Sequence, residues 1–127
     1  MAACSGVTEV IATGTIRLHQ KIAREAVEHV NLTMHNSLAP VLGTLKLAGH
    51  TIVGLEQTTN STRLCDYAFP HRTVLVLGSE RQGMSADCLA LLDAVVEIPV
   101  WGMPHSYNVA IAASLATYEY CRQYPDG

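Results

Sequence analysis

Short apolar runs alternate along this chain with segments of helical periodicity, and that alternation constrains the fold more than any other feature. The runs are Val7–Gly14, Thr51–Gln57, Thr73–Gly78 and Ala94–Val100, with Pro99 marking where the last strand stops. Between the first two, Leu18, Ile22, Ala26 and Val30 recur every four residues and predict a helix. A second helix carries its apolar face on Leu38, Val41, Leu42, Leu45 and Ala48, with Ser37 as its cap and Gly49 just past its end. Ser85 is placed to cap a short helix through Leu91, and Tyr107–Gln123 reads as a long, Ala-rich helix. Strands separated by helices specify an α/β fold with a mostly parallel sheet flanked by helices.

At 127 residues, 49% apolar and 15% charged, the chain has room for one domain over 1–127 and no disordered tail. No apolar run approaches the length a bilayer requires, so no membrane association is expected. The opening MAACSGVTEV lacks the basic and apolar regions of a signal peptide, so the cytosol or an organelle interior is the expected location. The four cysteines, Cys4, Cys65, Cys88 and Cys121, lie far apart without a CxxC pair, and the six histidines include no HxxxH pair. Neither a metal site nor a disulfide framework is expected from that spacing. The net charge of −3 counts against a complete, self-sufficient nucleic-acid binder. Phosphate affinity would have to come from a local patch, another subunit or a further segment.

In a parallel sheet, ligands bind beyond the carboxyl ends of the strands. Here three polar loops follow such ends: EQTTNS, GSERQG and PVWGMPHSYN. Gly78, Gly83 and Gly102 are placed to let backbone approach a ligand or adopt positive φ, which suits a flat, adenine-like group held by main-chain atoms. Glu80 stands two residues beyond a strand end, where it would cap a helix, anchor neighbouring loops or meet a polar substrate group. Ser106 is placed as the N-cap of the last helix. Trp101 and Tyr107 border the same loop; their rings could stack on a base, although core packing is the commoner role. No Ser-His-Asp set emerges, and GSERQG matches neither a dinucleotide fingerprint nor a P-loop, which leaves a flavodoxin-like nucleotide-binding module with little support.

The stretches LVLGSERQGMS and VEIPVWGMPHSYNVAIAASLATYEY together resemble the second and third motifs of the SpoU/TrmH family. These are SPOUT-superfamily, S-adenosylmethionine-dependent RNA ribose 2′-O-methyltransferases. Gly78, Ser79, Glu80 and Gly83 match the second motif; Ile98, Pro99, Gly102, Ser106, Asn108 and Val109 match the third, with Tyr107 where Leu or Met is usual. GLEQTTNS, at Gly54–Ser61, further resembles the eukaryotic tRNA guanosine 2′-O-methyltransferase branch. The resemblance implies a C-terminal trefoil knot, a homodimer, an RNA substrate (tRNA or rRNA) and no metal. It assigns cofactor contacts to Leu55, Gly78, Ile98, Gly102 and Tyr107, and the reaction site to Glu80, Ser106 and Asn108.

The family's first motif places an Asn and an Arg on a first strand and helix. Only three residues precede CSGVTEVIATG, so the expectation is a member lacking that strand and helix, with impaired catalysis and a weakened dimer. Arg17, Arg24 and Arg81 are candidate stand-ins for the arginine, each more commonly a surface charge. The rival expectation is a non-catalytic isoform or paralogue that binds cofactor or a full-length partner.

Overall fold

The computed structural model describes residues 1–14, 28–103 and 105–127. A 3-10 turn over Ala2–Ser5 leads into β1 (Glu9–Thr13), which pairs in parallel with β2 (Asn31–His35) as a two-stranded sheet. The helix expected over Leu18–Val30 lies almost entirely outside the described residues. There follow α1 (Ala39–Leu47), β3 (Thr51–Leu55), β4 (Thr62–Arg63), β5 (Thr73–Leu77), α2 (Ala86–Leu89), β6 (Ala94–Glu97) and α3 (Val109–Gln123). The four later strands form a second sheet in the order β4-β6-β3-β5, every neighbouring pair parallel. The fold is therefore the expected α/β class, although its parallel strands fall into two sheets and include two, β2 and β4, that the periodicity did not single out. β2 does carry the polar–apolar alternation of a half-buried strand, over only five residues, whereas β4 has only two residues, too short for any period to register.

β3 lies inside the larger sheet, and its Ile52, Val53 and Gly54 are all buried. Neighbouring strand residues face opposite sides, so β3 supplies both cores. Val53 packs with Leu64, Phe69, Val96 and Ala116 of α3 on one side. Ile52 packs with Leu42 of α1, Val76 and Cys88 of α2 on the other. Two helix starts differ from the sequence reading. α1 is preceded by Leu38 without a side-chain cap, rather than by a capping Ser37, and Pro40 in its first turn needs no N–H partner. α3 begins at Val109, two residues later than the periodicity suggested, and its cap is Asn108 rather than Ser106. Gly49 follows α1 in the left-handed region and Ser85 caps α2, both as expected. All four cysteines are free. Among the described residues no helix is long and apolar enough to cross a membrane.

Candidate functional site

The register of the larger sheet brings its strand ends level. Leu55 of β3 stands beside Leu77 of β5 and Val96 of β6, so the chain leaves three parallel neighbours at one sheet edge. A cleft of about 240 Å³ opens there, lined by residues following each of these strands and by the approach to α3.

The loop after β5 is a closed ring. Ser79 N–H donates to Gly83 O at 3.3 Å, and Gly83 N–H donates back to Ser79 O at 2.9 Å. Ser79 Oγ also accepts the Gln82 N–H at 3.1 Å. Gly83 adopts φ 65°, the left-handed region that favours glycine. At Gly78 the requirement is steric: a Cβ would stand 2.5 Å from Gly83 C and 2.7 Å from Met84 N. The closeness that demands glycine there is to the returning loop, not to space reserved for a ligand. Of the three glycines considered for positive φ, only Gly83 shows it, and Gly102 has no atom near its Cβ position.

Glu80 joins this loop to the last helix. Its Oε1 accepts Asn108 Nδ2–H at 3.1 Å and Val109 N–H at 3.3 Å, while Asn108 Oδ1 accepts Ala110 N–H at 2.9 Å. The carboxylate thus sits at the positive end of the 15-residue α3 and satisfies one of its free N–H groups. Capping a helix start and anchoring a neighbouring loop are two of the three roles the sequence had offered for this glutamate, the third being contact with a polar substrate group.

Leu55, Gly78, Glu80, Ile98, Ser106 and Tyr107 all line the cleft, whereas Gly102 and Asn108 do not. Asn108 acts at the helix start behind the lining. Trp101 is 82% exposed, and Tyr107 lies on the cleft wall, so neither ring packs in the core. Arg81 is exposed; Arg17 and Arg24 fall outside the described residues. Motif reasoning passed over Glu56 and Glu97, which also line the cleft. The rule that ligands bind at strand carboxyl ends could have found both, since one follows β3 and the other closes β6. Among the described residues that line the cleft there is no lysine, arginine or histidine. No cluster of metal-ligating side chains occurs among the described residues.

Residues 1–118 match the model of the SpoU rRNA Methylase family. The chain belongs to that family. Over 78 residues it is 44% identical to the tRNA (guanosine(18)-2'-O)-methyltransferase TARBP1 of Mus musculus, covering 61% of this chain and 5% of that protein. The A. aeolicus TrmH/SpoU tRNA modifying enzyme superposes with a TM-score of 0.89 at 25% identity, over 98% of this chain and 66% of that one. The SpoU methyltransferase AviRb from Streptomyces viridochromogenes, solved in complex with AdoMet, gives a TM-score of 0.80 at 26% identity, over 99% of this chain and 53% of that one. The chain thus spans about half to two thirds of these structural relatives and a small part of the mouse protein. The likeness to the eukaryotic tRNA guanosine branch, first suggested by GLEQTTNS, is borne out by the mouse relative.

Proposed function

We propose that this chain binds S-adenosylmethionine in the strand-end cleft and takes part in methyl transfer to a ribose 2′-hydroxyl of tRNA or rRNA. The observation that carries this reading is the joining of the Gly78–Gly83 loop to α3 through Glu80 and Asn108, beside a cleft made by three strand ends. The names of the relatives supply the reaction class: a tRNA ribose methyltransferase, and a neighbour solved with AdoMet.

The lining fits that group. Leu55, Leu77, Ile98 and Val100 offer apolar walls for an adenine, and the strand-end loops bring main-chain donors and acceptors to the same edge. The described part of the lining carries no basic side chain to pair with phosphate, which weighs against a nucleotide module. S-adenosylmethionine, when bound, supplies an electrophilic methyl carbon. Ser106 presents a hydroxyl at the cleft that can donate to or accept from a substrate hydroxyl. Tyr107 closes the same wall with its ring. Glu80 and Asn108 act as positioning residues that hold the loop against the helix start.

A second reading, cofactor binding without efficient catalysis, is favoured by the state of Glu80. One of its oxygens already accepts two N–H groups of α3, and no cation among the described residues lines the cleft to activate a hydroxyl. Absence of a general base typically slows a reaction by about two to four orders of magnitude. Measuring S-adenosylmethionine binding by calorimetry and methyl transfer to bulk tRNA and rRNA in parallel separates the two. Binding with little transfer supports the second reading, transfer at rates ordinary for enzymes supports the first, and no binding overturns both.

The homodimer, an intracellular location, one domain over 1–127 and a knot made by threading α3 belong to the same proposal. The exposed apolar stripe of α3, Ile111, Leu115 and Tyr118, supports the dimer.

A further inference from the structure

We infer that Trp101 is a stacking platform for an unpaired base of the RNA, outside the cofactor cleft and beside its mouth. The inference rests on the methyl-transfer reading above and names a residue that seats the accepting strand. Trp101 is the only tryptophan of the chain and is 82% exposed. Its position is fixed from both directions along the chain: Val100 lines the cleft, and the loop comes back to the cleft at Ser106 and Tyr107. Trp101 itself is not a lining residue. Met103 and Tyr107, both exposed, share its loop. Arg81 is exposed on the loop after β5, whose Ser79, Glu80 and Gly83 line the same cleft.

An indole carries a large apolar area and is mostly buried in folded proteins, so one left in water on a loop has that area available to a partner. The adjoining cleft identifies the partner. A ribose brought to the methyl carbon carries its base and its neighbours' bases to the cleft mouth. In a duplex the faces of those bases are covered by the adjacent pairs, whereas in a loop or single strand a face is free to stack on an aromatic ring. Every base offers such a face, so the contact holds the strand without reading its sequence. The formal charge of −3 gives the phosphates little overall attraction to this chain, which leaves stacking a larger share of the affinity.

With a single tryptophan in the chain, its emission reports this position alone. Titration with a mixed-sequence single-stranded RNA oligonucleotide, the same sequence as a duplex, and bulk tRNA, all with S-adenosylmethionine present, tests the inference. The single strand and tRNA should quench the emission, and the duplex should not. Trp101→Ala should weaken binding of the labelled single strand, followed by anisotropy, by about tenfold. Trp101→Phe should recover most of that loss and Trp101→Leu little of it, because an aliphatic side chain has no π-face. Tm and S-adenosylmethionine affinity should stay at the parent values in all three variants, since the ring does not pack in the core. A ring with a merely structural role would move Tm and treat Phe and Leu alike. RNA that fails to bind, binds without quenching, or binds Trp101→Ala as tightly as the parent overturns the inference. Calorimetry with S-adenosylmethionine on the same samples then decides separately whether the cofactor reading stands. If Trp101→Ala disperses a self-associated form while RNA affinity holds, the ring belongs to the contact with a second copy, and the inference is likewise overturned.

Discussion

Asp93 shows how much one side chain can hold in this fold. Its Oδ2 accepts the Ile52 N–H at 2.8 Å and its Oδ1 pairs with Lys46 Nζ at 2.9 Å, tying the entry to β6 to the central strand and to α1. The Ile52 hydrogen bond, followed by Lys46, holds its carboxyl below the usual carboxylate value. Because the folded value is depressed, the contribution is complete above the unfolded value and fades as pH falls through the folded one. Asp93→Asn should therefore flatten acid unfolding below about pH 4, measured by circular dichroism against pH. Asp93→Ala should lower stability by about 1.5 kcal/mol at neutral pH, near the lower end for a bond to a charged group because a third of the side chain is exposed. At Gly78 the effect is steric. Gly78→Val should abolish S-adenosylmethionine binding and lower stability by about 3 kcal/mol, since the loop backbone at 2.5 Å cannot yield as a flexible side chain would. Unchanged affinity by calorimetry would remove this loop from the pocket.

Element by element, α3 is the piece that ties the structure to the site. Its far end is held by Gln123, which accepts the Phe69 N–H and donates to Tyr67 O, and by Tyr120, whose hydroxyl donates to His71 O at 2.6 Å. Its near end is held by Asn108 and Glu80. Asn108→Ala removes the cap and one donor to Glu80, and should lower stability by about 1 kcal/mol. Ser106→Ala, by contrast, should leave thermal stability unchanged, because Ser106 does not cap the helix. Equal losses in Tm for the two variants would contradict this division of roles. Ser106→Ala is expected to register instead in methyl transfer or in RNA affinity, since Ser106 is among the residues lining the cleft.

For the whole molecule, six of the ten exposed large apolar side chains among the described residues lie on α3 and the loop before it, the others being Met1, Met34, Leu47 and Leu89. Ile111, Leu115 and Tyr118 follow one helical stripe at 53%, 40% and 71% exposure, and Trp101 and Met103 are more exposed still than Ile111. A stripe of this kind marks an association surface, and a second copy of this chain is the occupant proposed here. Sedimentation should show concentration-dependent self-association, and Leu115→Lys should shift it to monomer. A monodisperse monomer at high concentration would leave the stripe without that role.

Periodicity and turn chemistry determined the strands β1, β3, β5 and β6, the caps at Ser85 and Gly49, and the Ala-rich last helix, because each depends on neighbours within a few residues. Local motifs also picked out Gly78, Glu80 and Ser106 as site residues. Tertiary structure decided the rest. Whether Gly78 needs to be glycine depends on a loop that returns five residues later, and whether Asn108 or Ser106 caps α3 depends on where Glu80 arrives from another strand. Glu56 and Glu97 become neighbours of Glu80 only because parallel strands β3, β6 and β5 end level at one sheet edge. Their sequence separation hides that pairing, since register between distant strands is set by packing on both sheet faces rather than by any local signal.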